Sequence, residues 1–147
     1  MTLVELMITL VVMGVMLAVA LPSYLGSVRK GRRAEGIAAL TALQQAQERF
    51  RANNTTYGNL NAPADAATLP NTATLATSAN QRYTLAVSGN GTTGYTLTAT
   101  AAGAQANDTP CAVMAVRATG GNIRYGSGTS SIDWAPADAD LGRCWAK

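Results

Sequence analysis

Histidine is absent from the 147 residues. That single absence excludes Ser-His-Asp triads, Cys-His dyads, His-bearing zinc sites and CxxCH haem attachment together. Charge is also scarce, at 13% of the chain, and aromatic residues make up only 5%, with phenylalanine present once, at Phe50. Because 48% of the residues are hydrophobic, the chain is not a charge-rich disordered tail. Its length leaves room for one domain and an appendage, not for two domains of ordinary size. Cysteine occurs twice, at Cys111 and Cys144, with neither CxxC nor metal-ligand spacing, as expected of a structural disulfide formed in an oxidising compartment. A formal charge of +3 is modest, and Arg29, Lys30, Arg32, Arg33 and Arg49 all precede residue 50, so the basic excess is local rather than a field over the whole molecule.

What the chain does have is a long apolar run, MTLVELMITLVVMGVMLAVALPSYLGSV. From Leu6 to Leu21 nothing is charged, and Thr9 is the only side chain with a polar oxygen or nitrogen. Residues 1 to 25 as a helix span roughly 37 Å, enough to cross a hydrocarbon core about 30 Å thick. A cleaved signal peptide is the rival reading, but it calls for a basic segment before the apolar run, and no Lys or Arg precedes Arg29. Glu5 does not fit a plain anchor, since an acidic side chain at a bilayer centre costs about 2.5 to 3.5 kcal/mol. Either it pairs with a cation, of which a terminal amine is the nearest, or it lies at headgroup level and favours the positive end of the helix dipole. The basic cluster RKGRR comes after the apolar run, which by the positive-inside rule places residues 29 to 147 in the cytoplasm, whereas the cysteines argue for an oxidising compartment. The two agree if a basic leader once preceded Met1 and has been removed.

The string TLVELMITLVVMGVMLAVALPSY resembles the amino terminus of mature type IV pilins. The resemblance implies that a prepilin peptidase removes a leader, that Met1 is then N-methylated, and that Glu5 neutralises the terminal amine of a neighbouring subunit in a filament. The family usually begins with phenylalanine, and Met1 departs from that pattern. Pairing a buried carboxylate with a buried ammonium offsets their desolvation only in one register, so such a pair selects register more than it adds stability. The strings QANDTPC and CWAK are similar to those of type IVa pilins of Gram-negative bacteria, and the segment bounded by Cys111 and Cys144 matches the family's disulfide-bonded region.

Pro22 removes a backbone donor from the helix, and Gly14 is about 1 kcal/mol worse than alanine there, so a kink is expected between them. In related filaments the matching stretch is locally unwound, which places Gly14 and Pro22 with Met1 and Glu5 as assembly residues. After the basic cluster, Ile37, Leu40, Leu43, Gln47 and Phe50 recur at helical spacing, with Asn53 and Asn54 as the stop. A stem of this length, roughly 80 Å, exceeds what one small domain covers, so half of it must pack outside its own subunit. RYTLAVS and GYTLTAT alternate across Gly89-Asn90-Gly91, a hairpin signal, and CAVMAVRA and NIRYG come next, across Gly120-Gly121.

The expected fold is α+β, the type IV pilin fold: a long N-terminal helix kinked near Pro22, packed against a three- to four-stranded antiparallel sheet, with a disulfide-bonded C-terminal loop. The expected segments are a hydrophobic transmembrane and filament-core helix (1–28), an amphipathic helix (29–54), a connecting loop (55–81), a sheet (82–126) and a disulfide-bonded region (111–147). Closing about 33 residues with a disulfide is worth roughly 3 to 4 kcal/mol in the chain-entropy model.

The resemblance implies a structural subunit, not an enzyme, with no cofactor and no metal. Such a chain waits in the inner membrane and then polymerises helically into an extracellular filament for adhesion, twitching motility or DNA uptake. Its partners are other copies of itself, the membrane before assembly, the prepilin peptidase and the pilus assembly machinery, with a surface receptor or DNA left open. The alternatives are a minor pilin, a secretion-system pseudopilin, or a monomeric membrane-anchored periplasmic binding domain. Asp133, Asp138 and Asp140 lack the dense alternation of oxygen ligands that calcium requires. Arg29, Lys30, Arg32 and Arg33 read as a juxtamembrane belt or a filament interface. Tyr24 and Phe50 lie about 39 Å apart along a straight helix, too far for a stacked path. Trp134 and Trp145 read as contact residues or as packing for the disulfide.

Overall fold

A computed structural model describes residues 2–60, 68–134 and 144–145. The chain divides into two compact units, Met1–Gly31 and Arg32–Lys147. Both draw on one long helix, α1 (Leu3–Arg51), which continues through Gly14 and Pro22. At Pro22 the ring leaves the helix without the N–H that would otherwise bond back toward Ala18.

In the first unit the apolar side chains of residues 3–25 are exposed. The most hydrophobic window of α1 has a mean hydropathy of 2.5 and is unburied throughout. Leu3, Leu10, Met16 and Val19 are each more than two-thirds exposed. Among the described residues this is the one helix long and apolar enough to cross a membrane.

In the second unit α1 becomes one-sided. Gly36, Leu40, Leu43, Ala46 and Gln47 are buried, a stripe at three- and four-residue spacing. The helix ends where the two asparagines compete for its carbonyls: the Asn54 side-chain amide donates to the Phe50 carbonyl at 2.8 Å, and the backbone stops being helical after Arg51. A short helix, α2 (Thr72–Leu75), interrupts the connection that the sequence presents as a loop.

Four antiparallel strands come next in sequential order: β1 (Tyr83–Ser88), β2 (Gly94–Ala101), β3 (Val113–Thr119) and β4 (Asn122–Gly128). The register sets Leu85 opposite Ala99, Leu97 opposite Val116, and Ala99 opposite Met114, so these residues share one face. That face meets Leu40 and Leu43 in a single core with Tyr83 and Tyr95. Gly36 permits the close approach, because a Cβ there would lie 2.5 Å from the Met114 methyl carbon and 3.1 Å from the Tyr83 ring. Gly120 and Gly121, both at positive φ, form the two-residue turn between β3 and β4. β4 continues two residues beyond the alternating NIRYG, to Gly128, and Ser127 then pairs with Asp133.

Candidate functional site

The expected assembly residues belong to the first unit. Met1 lies outside the described residues. Glu5 has a partner in its own first turn, at the positive end of the helix dipole. The Thr2 backbone N–H donates to Glu5 Oε2 at 3.3 Å, and the Glu5 N–H donates to Thr2 Oγ1 at 3.3 Å. This is a reciprocal capping box, and its signal was present in the sequence as a Thr three residues before a Glu. It gives the Thr2 N–H an acceptor and adds a second acceptor to the Glu5 N–H, which also bonds to the Thr2 carbonyl at 3.1 Å. Gly14 has nothing within 4 Å of the position a Cβ would take, so no contact among the described residues requires glycine there.

The second unit carries most of the polar chemistry. Cys111 and Cys144 form the expected disulfide, Cα to Cα 5.5 Å, and both are buried. Trp145 packs beside it in the core, tilted on Tyr125 with ring centroids 4.9 Å apart, and its Nε1–H donates to the Gly126 carbonyl at 3.2 Å. Trp134 does something else: the Arg117 guanidinium lies over its ring at 4.1 Å. Asp138 and Asp140 lie outside the described residues, and the Asp133 backbone N–H bonds to the Ser127 carbonyl at 3.0 Å.

The basic cluster is divided in its roles. Arg33 is not a solvated charge: its Nε donates to Asp108 Oδ2 at 2.7 Å and its Nη2 to Oδ1 at 2.8 Å. This bidentate hydrogen bond raises the Arg33 pKa further, against the opposing effect of burial. It ties the helix to the turn that precedes the disulfide, since Asp108 also accepts from the Gln105 amide at 3.2 Å. Glu35, two residues on, holds the segment leading into β1. Its carboxylate accepts from the Ser78 hydroxyl (2.6 Å), the Asn80 N–H (2.9 Å), the Asn80 side-chain amide (3.1 Å) and Arg82 Nη1 (2.5 Å). Burial pushes this carboxyl up, but the hydrogen bonds from Ser78, Asn80 and Arg82 outweigh it and hold it at about 2.

Two further polar clamps bind α1 to the rest of the head. Gln47, which the periodicity places among apolar residues, is fully buried and bonded to Gly58 in both directions, donating to its carbonyl at 2.7 Å and accepting its N–H at 2.9 Å. The Tyr95 hydroxyl donates to Glu48 at 3.0 Å, while Tyr57 meets the Tyr95 ring edge-on. Burial, then the Glu48 hydrogen bond, push the Tyr95 hydroxyl well above its ordinary value. The sequence shows Arg33, Glu35 and Gln47 as helix residues but carries no local signal for partners 11 to 75 positions away.

None of these groups forms a nucleophile, base or metal set. Instead, one unit presents apolar surface and the other is a head with its own core and a disulfide. A family model described as "Type IV minor pilin ComP, DNA uptake sequence receptor" matches residues 22–115. The match begins at Pro22, takes in the rest of α1 with β1 and β2, and ends inside β3. No curated protein matches the chain.

Proposed function

The chain belongs to the type IV minor pilin family typified by ComP, and from that we propose that it is a minor subunit of a type IV pilus that serves DNA uptake. The fold is the type IV pilin fold, with its long N-terminal helix, four-stranded antiparallel sheet and C-terminal disulfide. The observation that carries the reading is the match over residues 22–115, well over half of the chain. It favours the minor-pilin alternative over the main filament subunit.

The exposed apolar window of α1 supports the mechanism. Its side chains are equally suited to lipid tails and to the same helix of other subunits, so one surface serves for waiting in the inner membrane and for packing into a pilus. Head-to-tail packing of such helices is open-ended, and a chain carrying this helix can enter a fibre built mainly of another pilin. In this reading Met1 is the methylated first residue and Glu5 exchanges part of its capping box for a neighbour's terminal amine. Gly14 and Pro22 supply the soft stretch that the packing bends. The pilin family is structural, and we assign no catalytic step.

The test is deletion of the gene in the source bacterium, with wild-type chain or a Glu5→Ala variant returned. Pili of another subunit should persist on the deletion strain while DNA uptake falls to background. Wild type should restore uptake, and Glu5→Ala should accumulate in the membrane without restoring it. Loss of every filament on deletion would make this chain the main subunit, and unchanged uptake would remove the DNA reading.

A further inference from the structure

The outward face of β3 and β4 is built as a cationic row, and it lies almost wholly beyond the residues that the family match covers. The register sets Arg117 directly opposite Arg124, with Thr119 opposite Asn122 in the next row toward the turn. Like charges directly opposite each other on a sheet are destabilising, so this pair costs stability unless an anion lies over it. No acidic residue occurs in any of the four strands. The ion pairs among the described residues involve Arg33 and Arg82, not these two arginines.

Arg117 is also fixed in place. Its Nε donates to Thr96 Oγ1 on the neighbouring strand at 3.4 Å, and the guanidinium plane rests over Trp134 at 4.1 Å. Holding the fork this way removes part of the side-chain entropy that a ligand would otherwise have to overcome. Arg117, Thr119, Asn122 and Arg124 line a concavity of about 600 Å³ with cationic, hydroxyl and amide donors. Cationic forks flanked by neutral donors are the groups that contact phosphate and sugar oxygens along a nucleic-acid backbone.

We infer that the Arg117–Arg124 row, with Thr119 and Asn122 beside it, is the surface on which this chain holds the phosphate backbone of duplex DNA. The inference rests on the DNA-uptake reading and adds to it the place and the chemistry of the contact. Contacts to phosphate weaken all sequences alike when removed, and each neutralised phosphate adds about 0.9 to the slope of log affinity against log salt. The row should therefore account for close to two units of that slope.

The experiment uses the full chain in detergent micelles and a fluorescein-labelled DNA duplex, with affinity read by anisotropy over a series of salt concentrations. An Arg117→Gln/Arg124→Gln variant should bind at least tenfold more weakly at low salt, and its salt slope should fall by about 2. An Arg117→Lys/Arg124→Lys variant should keep the slope, because lysine also neutralises a phosphate. An Arg29→Gln/Lys30→Gln variant should bind as wild type does. Far-ultraviolet circular dichroism on each variant confirms that the sheet is retained. If wild type binds and the double glutamine variant binds equally with an unchanged slope, the surface is wrong while the DNA reading stands. A loss that appears instead in the Arg29/Lys30 variant likewise overturns the surface and leaves the DNA reading in place. A wild-type chain that binds no duplex at low salt overturns the DNA reading and the surface with it.

Discussion

Glu35 shows how a single charged residue is used when charge is scarce. Its carboxylate gathers the Ser78 hydroxyl, both Asn80 donors and Arg82, and Ser78 in turn accepts the N–H groups of Arg82 and Tyr83 at 3.1 and 3.0 Å. The entry to β1 is thereby fixed to the helix. Because the folded-state value is held at about 2 against an ordinary 4.5, the stabilisation is fully present above about 4.5 and is lost as pH falls through about 2. Thermal melts of wild type and Glu35→Gln should therefore be well separated at neutral pH and converge as pH falls toward 2; parallel curves across that range would show that the ionised carboxylate is not what holds the segment. Gln47 makes the complementary case. Leucine there would fit the apolar stripe read from the sequence, yet it would leave both backbone groups of buried Gly58 unpaired. Gln47→Leu should cost about 2 to 4 kcal/mol, measured by urea unfolding of the head, and a neutral result would mean that water replaces the amide. The buried polarity of position 47 was legible as a break in the pattern, but its partner was not, since nothing local names Gly58.

At the scale of elements, periodicity carried much of the architecture. Alternation located β1 and β2 within a residue, because each has one face in the core and one in solvent. It was less informative for β3, whose first four residues are buried whichever face they belong to, and for β4, whose last residues, Gly126 to Gly128, pack against the chain returning at Ile132 and Asp133. The helix α2 is four residues long and has no side-chain cap, too little for a sequence signal. In α1 the Thr2–Glu5 capping box is a local device and should behave as one. Thr2→Ala should destabilise the first turn by about 1 kcal/mol. In micelles this appears as faster amide exchange at Glu5, whose N–H bonds to the Thr2 hydroxyl, with no change beyond residue 10. Exchange that changes evenly along the helix would show that the cap is not what holds this end. Further along the same helix, Gly36→Ala places a methyl group against Met114 and the Tyr83 ring. The Met114 methyl can swing aside but the ring cannot, and a loss of about 1 to 3 kcal/mol in the head's unfolding is expected.

For the whole molecule, two kinds of stability coexist in one chain. Residues 3 to 25 are exposed along their whole length among the described residues, and their backbone donors and acceptors are paired within the helix itself, as an apolar medium would require. The head depends on a core and a cross-link: Cys111, fully buried, joins Cys144 across 33 positions, and Trp145 next to it closes over Tyr125. The composition already pointed to this division, since two cysteines and a single apolar run are easily read, whereas the side-chain clamps at Arg33, Glu35 and Gln47 depend on where distant loops return. The division predicts separable responses to reduction. In a Trp134→Phe background, Trp145 becomes the only tryptophan and reports on the cross-linked region alone. Reducing the disulfide should lower the stability of the head by about 3 to 4 kcal/mol, moving the Trp145 fluorescence transition to lower urea. The helical circular dichroism that micelles protect should survive past that transition, because the residues that give rise to it have no contact in the core to lose. A single transition in both signals would mean that the two units unfold as one body. An unmoved Trp145 transition would mean that the Trp145 hydrogen bond to Gly126 and its packing on Tyr125 hold the carboxyl-terminal segment without the covalent link.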